Sequence, residues 1–224
     1  MILFENVTKK FGSSVAIDDL SLDIKQGEFV FIVGPSGAGK STLLKILTRE
    51  IQPTTGKVLV NKIDIGKMKD KEIPGLRRKV GVIFQDFKLL DDKTVFENVA
   101  LALEVLGKTD AEINKMVEHM LKLVEIWDKR YLFPRQLSGG EGQRTAIARA
   151  AVGKPDVLLA DEPTGDLDPK TAWGVIQLLN EINSWGTTIF MATHNQEIVN
   201  TLKRRVIVLK NGKISKDTKE GKYE

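Results

Sequence analysis

The chain has 224 residues, of which 42% are hydrophobic and 29% are charged, and its formal net charge at pH 7 is +4. This length can bury a substantial core, and the balance of apolar and charged residues excludes the disordered and membrane-embedded classes. The absence of cysteine excludes disulfides and thiol chemistry, and two lone histidines argue against a zinc site. The basic residues are spread along the chain without interleaved aromatics, so we expect no nucleic-acid partner.

Short β-type runs open the chain, and turns rich in Gly, Asp and Asn separate them. ILFENV (2–7), LSLDI (20–24) and KVLVN (57–61) predict a small antiparallel sheet. The start of the chain lacks the apolar stretch of a signal peptide, and no apolar run approaches the roughly 18 residues that a bilayer requires. We therefore expect the chain to remain in the cytosol.

A continuously apolar strand, EFVFIVG (28–34), leads into a glycine-rich loop and then into the helical run KSTLLKILTREI (40–51). The loop, GPSGAGKST, matches the phosphate-loop pattern G-x-x-x-x-G-K-[ST] in the strand–loop–helix context that this pattern requires. Its glycines let backbone N–H groups turn toward a phosphate at a helix N-terminus, whereas a plain glycine-rich turn would not need this context. Lys40 is predicted to bind the β- and γ-phosphates, and Ser41 to bind Mg²⁺. The predicted nucleotide ligands are Gly34, Pro35, Ser36, Gly37, Ala38, Gly39, Lys40, Ser41 and Thr42.

From about Asp86 to Arg135 the pattern turns helical. A capping box, Thr109 with Glu112, opens one helix, and we interpret the apolar stripe that follows on one face as core packing. His119 lies within this stretch, and we interpret it as structural. The stripe consists of Ile113, Met116, Val117, Met120, Leu121 and Val124.

Two further buried-strand runs, DVLLAD (156–161) and TTIFMAT (187–193), flank a helix. Asp168 is its predicted N-cap, Pro169 its first residue and Gly186 its terminator. Strands that alternate with helices predict an α/β fold whose mainly parallel sheet is covered on both faces. The last residues, ISKDTKEGKYE, are polar and predict a frayed, solvated end.

Polar side chains follow three of the predicted strands. Asp161 and Glu162 end one strand, where α/β sheets place ligands: Asp161 would hold Mg²⁺, and Glu162 would orient and deprotonate the attacking water. His194 ends the next strand and is either an ordinary surface or core histidine or a donor to the γ-phosphate that also holds Glu162. Gln85 ends a strand-like run and either ligates Mg²⁺ and the attacking water or begins a loop. Asp161 and Glu162 could also be a solvated pair in a turn, which an intact phosphate loop disfavours.

A second glycine-rich stretch, LSGGEGQR (137–144), precedes another helical pattern. Ser138 as N-cap and Glu141 as its capping-box partner explain the helix start. Gly139 and Gly140 remain unexplained, because each glycine lowers the stability of a helix by up to about 1 kcal/mol relative to alanine. Glycine, which has no side chain, is typical of positions where the backbone approaches a phosphate closely. Because the first loop already encloses its own nucleotide from one side, we expect Ser138, Gly139, Gly140 and Glu141 to bind the nucleotide of a second copy. Two copies would face head to tail, with two ATP molecules between them.

The chain resembles an ABC-transporter ATPase subunit over nearly its whole length. GPSGAGKST, FQD, LSGGE, LLADEP, GDLD and ATH occur in the family's order and at its usual spacing. The resemblance implies a single P-loop NTPase domain over residues 1–224, with a RecA-like core, an N-terminal antiparallel β subdomain and an inserted helical subdomain. The helical subdomain would span about 86–135 and extend into the helix at 138–152. The resemblance also implies that Phe11 stacks on adenine, where the alternative is a buried aromatic of the small sheet, and that Asp168 communicates across the dimer.

Within the family the chain is most similar to the bacterial cell-division ATPases. This resemblance implies an FtsX-like membrane protein that docks near Gln85 and the helical subdomain, regulation of peptidoglycan hydrolysis, and a peripheral position on the inner face of the plasma membrane. ATPases of lipoprotein-release and macrolide-export complexes are the first alternative. A nucleotide-gated scaffold and a soluble ABC protein acting on ribosomes or DNA are two others, and the last usually needs two cassettes or a coiled-coil insertion, which this chain lacks.

Three residues depart from the family's usual pattern, although none of them removes a catalytic group. Gly142 stands where a glutamine is usual, Asp166 where an asparagine is common, and Asn195 where an aspartate often follows the histidine. We expect Gly142 to loosen the helix that starts at LSGGE, and Asp166 to add negative charge near the dimer interface. ATP-driven closure would then be weaker than is usual in the family.

Overall fold

A computed structural model describes residues 1–221. Within them the chain forms strands and helices that largely alternate along the sequence. The strands are β1 Ile2–Phe11, β2 Ser14–Ile24, β3 Phe29–Val33, β4 Thr55–Val60, β5 Ile63–Asp64, β6 Val80–Ile83, β7 Val157–Asp161, β8 Thr188–Ala192, β9 Arg205–Lys210 and β10 Lys213–Thr218. The α-helices are α1 Lys40–Leu47, α2 Ile73–Arg77, α3 Val95–Val105, α4 Asp110–Leu123, α5 Gly139–Ala151, α6 Pro169–Ser184 and α7 Gln196–Leu202.

The strands form two sheets. A four-stranded antiparallel sheet has the order β2-β1-β4-β5, and a six-stranded sheet has the order β10-β9-β3-β8-β7-β6. In the larger sheet, strands β9, β3, β8, β7 and β6 run parallel, and only β10 is antiparallel to its neighbour. The predicted α/β class, the mainly parallel sheet and the small antiparallel sheet are confirmed.

Both faces of the central sheet are buried, which is why its strands read as continuous apolar runs. In β3, Phe29, Phe31 and Val33 pack on the face that carries helices α3 to α6, whereas Val30 and Ile32 pack on the face that carries α1 and the antiparallel sheet. Each face therefore has its own hydrophobic cluster, and the sheet separates the two. This arrangement fixes the carboxyl ends of the parallel strands along one edge, where the predicted site residues lie.

The helical stretch begins later than predicted, because residues 86–94 form a loop before α3. The capping box at α4 is confirmed: the Thr109 amide donates to Glu112 Oε2 over 3.0 Å. The stripe on α4 packs into the core as predicted, with only Met116 partly buried. His119 is exposed on the opposite side of that helix. Asp168, Pro169 and Gly186 delimit α6 as predicted.

Two predictions at element ends are wrong. Helix α1 stops at Leu47 rather than at residue 51, because the chain turns into a left-handed conformation at Arg49 (φ 55°). The first part of the polar end is not frayed, because residues 213–218 form β10. An edge strand can be polar, and Arg205 holds β10 by donating to both carboxylate oxygens of Asp217 over 2.9 and 2.7 Å. Residues 222–224 lie outside the described part of the chain.

The loop before α3 depends on a buried asparagine that the sequence did not reveal. The side chain of Asn98 has no exposed surface; its Oδ1 accepts from the Leu90 amide over 2.8 Å, and its Nδ2 donates to the carbonyl oxygens of Leu90, Lys93 and Thr94 over 3.1, 3.0 and 3.0 Å. One side chain thus satisfies several backbone groups of the loop that leads away from Gln85.

We expect Asn98→Ala to lower the free energy of unfolding by roughly 2–4 kcal/mol, because buried backbone groups left without a partner cost about 1–3 kcal/mol each. Urea unfolding measures the change. Asn114→Ala is the matched control, since Asn114 is exposed on α4 and its loss should cost less than about 0.5 kcal/mol. Equal stability of the two variants would contradict the assigned role of Asn98.

Candidate nucleotide-binding site

The loop between β3 and α1 forms a concave backbone surface at the start of a helix. Gly34 has φ 149° and Gly39 has φ 108°, and a Cβ atom would lie 2.3 Å from Leu209 O at the first position and 2.6 Å from Ala16 O at the second. No other residue type fits at either position without moving backbone. No side chain caps the helix start at Gly39, so the first amides of α1 remain open to an anion.

This loop lines a cleft of about 660 Å³. The cleft brings the loop residues 34–42 together with the polar residues that follow three neighbouring strands. Because β6, β7 and β8 run parallel to β3, their carboxyl ends meet at this edge of the sheet. The structure therefore gathers Gln85, Asp161, Glu162 and His194 beside the phosphate loop.

Lys40, Ser41 and Asp161 all line the cleft. The ammonium of Lys40 donates to Gly34 O over 2.8 Å and to Pro35 O over 3.2 Å, so it lies over the loop. Burial raises the pKa of Asp161, and a hydrogen bond from Ser41 opposes that rise. The half-buried carboxylate of Asp161, the hydroxyl of Ser41 and the amide oxygen of Gln85 form an all-oxygen donor set, which fits Mg²⁺.

Glu162 is held by His194 at both of its carboxylate oxygens. The Nδ1 atom of His194 lies 2.9 Å from Oε1, and its backbone amide donates to Oε2 over 3.2 Å. The backbone of Glu162 is left-handed (φ 48°), a conformation that costs a non-glycine residue about 1–3 kcal/mol and is typical of functional sites. The Glu162 side chain is 15% exposed and that of His194 is 69% exposed, so the histidine shields the carboxylate from the solvent side.

Gln85 has a partner that the sequence did not suggest. Its Nε2 donates to Asp166 Oδ2 over 3.2 Å. An ionised carboxylate only accepts hydrogen bonds, so Asp166 fixes which end of the amide faces it and leaves the carbonyl oxygen of Gln85 free to act as a ligand. At this position an asparagine would accept either orientation of the amide.

The second glycine stretch starts α5 through the predicted capping box. The Ser138 amide donates to Glu141 Oε2 over 2.9 Å, and the Glu141 amide lies 3.4 Å from Ser138 Oγ. Packing within the chain explains why residue 140 is glycine, since a Cβ atom there would lie 2.6 Å from Thr171 Cγ2 on α6. Gly140 can therefore be explained without the predicted phosphate contact.

Gly139 differs from Gly140, because nothing in the described chain lies closer to its Cβ position than Leu167 Cδ2 at 3.8 Å, an ordinary contact. Nor does the second glycine stretch line the cleft that holds the first loop. Within one copy the two glycine stretches thus lie apart. No contact within residues 1–221 requires glycine at position 139.

The two remaining predicted residues also lie outside this cleft. Phe11 is 50% exposed at the end of β1, with the ammonium of Lys9 4.8 Å from the ring centre, so the alternative of a buried aromatic is wrong. Asp168 caps α6 by accepting from the amides of Lys170 and Thr171, both over 3.1 Å. A hydrogen bond from the Thr171 side chain, followed by those from the two amides, lowers the pKa of Asp168.

Comparison with known protein families identifies the family of this chain. A model of the ABC transporter family matches residues 17–165, which include the phosphate loop, Gln85, the second glycine stretch and the Asp161–Glu162 pair. The chain belongs to the ABC transporter family. It is accordingly an ATPase of the ABC type.

Curated ABC proteins that resemble this chain include several named "Cell division ATP-binding protein FtsE". The protein of that name from Bacillus subtilis is 54% identical over 100% of this chain and 98% of its own length. The Streptococcus pneumoniae D39 protein is 50% identical over 100% and 97%, and that of Escherichia coli K12 is 45% identical over 95% and 96%.

Solved ABC cassettes share the fold along the whole chain. The dimeric structure of the bacterial ABC transporter cassette MJ0796 has a TM-score of 0.91 and 39% identity, and covers 100% of both chains. A second dimeric structure of that cassette, in a post-hydrolysis state with ADP and Pi, has a TM-score of 0.90 and 38% identity at the same coverage. None of the helices within residues 1–221 combines the length and apolar character needed to cross a membrane.

Proposed function

We propose that two copies of this chain form two ATPase sites at their shared interface, and that the dimer acts on an FtsX-like membrane protein in cell division. The observation that carries the composite site is Gly139 at the start of α5, where no contact within residues 1–221 requires glycine. The names of the FtsE relatives support the role in cell division, and the dimeric cassettes support the assembly.

Different residues bind the phosphates, the adenine and the Mg²⁺ ion of Mg-ATP. The loop amides and Lys40 bind the β- and γ-phosphates, while Phe11, exposed beyond the cleft, stacks on adenine. Ser41, Gln85 and Asp161 hold Mg²⁺, directly or through water. When bound, the ion neutralises charge that develops on the phosphate oxygens.

Glu162 is the general base of this reaction. It accepts a proton from the attacking water, and His194 keeps its carboxylate in place through the contacts at 2.9 and 3.2 Å. The second copy contributes Ser138, Gly139 and the helix start at Glu141 to the γ-phosphate, and Asp168 faces the same interface. ATP therefore joins the two copies, and its hydrolysis releases them.

A groove of about 590 Å³ beside this cleft is the proposed docking surface for the membrane partner. Its apolar wall includes Phe84, Leu101 and Val105, which are 37%, 37% and 55% exposed. Its rim is basic, with side chains from Arg77, Arg78 and Lys88. An amphipathic cytoplasmic helix with an apolar face and acidic flanks fits both properties. The groove lies where the helical subdomain of residues 86–135 meets α2, β6 and the end of α5. Docking there would hold the chain at the inner face of the plasma membrane.

We expect Val105→Asp to abolish capture of the membrane partner, because it places a negative charge in the apolar wall of the groove. ATPase activity of the isolated chain should stay within about twofold, since surface changes away from a site have small effects. The measurement is a pull-down from detergent-solubilised membranes with tagged protein. Ile63→Asp is the matched control, because Ile63 is 51% exposed on the antiparallel sheet, outside the groove.

Identification of the captured protein separates this function from its alternatives. One membrane protein with four spans and a large extracytoplasmic loop supports the cell-division role. A substrate-handling permease would assign the chain to a lipoprotein-release or export complex instead. Capture that is unchanged by Val105→Asp would contradict the docking surface.

A further inference from the structure

The loop after Gln85 is fastened to helix α5 by one arginine. Arg149 donates from Nη1 to Lys88 O over 2.6 Å and from Nη2 to Phe87 O over 2.8 Å. A guanidinium can bind two adjacent carbonyl oxygens at once because its donors form a rigid planar fork. One side chain of α5 therefore fixes the position of two successive residues of the loop.

The loop adopts an unusual backbone conformation where Arg149 binds it. Phe87 has φ 58° and Lys88 has φ 49°, so two successive non-glycine residues are left-handed. Such a conformation persists only where its surroundings hold it. The two hydrogen bonds from Arg149 supply part of that restraint.

The ring of Phe87 supplies a second connection to α5. A Cβ atom at Gly142 would lie 3.0 Å from both Cδ2 and Cε2 of this ring. Gly142 is buried, so a side chain there would have to displace the ring or the loop. The ring of Phe87 takes the space that a side chain at residue 142 would need. That Gly142 also loosens the helix stays a prediction.

These two contacts join the parts that must act together in the proposed function. The loop starts beside the cleft at Gln85, and α5 starts at Gly139, the proposed contact to the nucleotide of the second copy. Lys88 and Arg149 also line the proposed docking groove. The two contacts therefore connect the loop that begins at the cleft with the helix that begins at Gly139.

We propose that Arg149 and the Phe87–Gly142 contact are positioning elements that couple the Gln85 loop to the start of α5. This inference rests on the proposed function, because it concerns how one copy presents α5 to the nucleotide of the other. Neither element touches the nucleotide within its own copy, so each acts through the placement of Gln85 and Gly139.

The first test compares Arg149→Lys and Arg149→Met with the parent protein. Lysine keeps the charge but lacks the fork, so we expect both variants to lower kcat by roughly 3- to 30-fold while the affinity of the single copy for ATP is unchanged. ATP affinity is measured with a fluorescent ATP analogue. The kcat is measured at a temperature well below the melting temperature of each variant.

Arg144→Met is the matched control, because Arg144 lies on the same helix and donates to a backbone carbonyl, that of Val124, over 2.9 Å. It does not contact the Gln85 loop, so its kcat should stay within about twofold of the parent even if its melting temperature falls. An equal loss of kcat in Arg144→Met and Arg149→Met would mean that Arg149 only stabilises the fold. That result would overturn the proposal.

The second test is a double-mutant cycle on the Phe87–Gly142 contact. Gly142→Ala should lower kcat because the methyl group displaces the ring, and Phe87→Ala in the same chain should relieve that displacement. The double variant should therefore match Phe87→Ala within about twofold, whereas independent sites would multiply their losses. Multiplicative losses, or a Gly142→Ala enzyme with the kcat of the parent, would overturn the coupling while the ATPase function stands. A parent protein without ATPase activity would overturn both.

Discussion

Glu162→Gln is expected to lower the rate of ATP hydrolysis by roughly 10²–10⁴-fold, the contribution of a positioned general base. Glutamine keeps the size of the side chain and can still bind His194, but it cannot accept a proton from water. Residues 34–42, which bind the phosphates, are unchanged, so ATP affinity should remain the same. Steady-state phosphate release measures the rate, and a fluorescent ATP analogue measures binding.

The matched control for this change is Glu197→Gln. Glu197 is exposed in the first turn of α7, shortly after His194 in the chain, and it does not line the nucleotide cleft. Its loss removes the same charge near the site and should leave hydrolysis within about twofold. Hydrolysis by Glu162→Gln within tenfold of the parent would show that another group activates the water. Cell division that proceeds normally with this variant would favour a nucleotide-gated scaffold over an enzyme.

Gly139→Asp is expected to lower hydrolysis by at least about 100-fold, because it places a carboxylate where the γ-phosphate of the second copy would bind. The same change should not destabilise α5, since an acidic residue in the first turn of a helix is favourable by about 0.3–1 kcal/mol. Stability and activity therefore move in opposite directions, which separates loss of the composite site from loss of folding.

Gly139 is a cleaner position for this test than Gly140, where any side chain would meet Thr171 within the same copy. Gly75→Asp is the control, because Gly75 lies in helix α2 with no atom within 4 Å of its Cβ position. It adds the same charge and should leave hydrolysis unchanged. An active Gly139→Asp enzyme would mean that α5 of the second copy does not approach the phosphates.

The parts of the site that the sequence predicted depend on local spacing. The phosphate loop follows an apolar strand directly, and Asp161, Glu162 and His194 follow the ends of neighbouring parallel strands. Because a parallel sheet brings such ends to one edge, the pattern of strands and helices was enough to bring these residues together. Capping boxes at Thr109 and Ser138 were equally predictable, since each involves residues three positions apart.

The contacts that the sequence did not reveal join residues distant in the chain. Whether a glycine is required by a neighbour depends on how helices cross, which separates Gly140, beside Thr171, from Gly139. The bond from Gln85 to Asp166 and the hold of Arg149 on the Gln85 loop have the same origin. No local pattern encodes such pairs, because each requires the packing of α5 and α6 against the sheet.

The central claim is that one copy holds only half of each ATPase site. The most direct measurement is sedimentation velocity of Glu162→Gln and of Glu162→Gln/Gly139→Asp, each with saturating Mg-ATP. At saturating Mg-ATP both proteins should carry ATP, and the first should sediment as a dimer while the second remains a monomer. If both sediment as monomers, or if a monomeric parent protein hydrolyses ATP at full rate, the composite site does not exist.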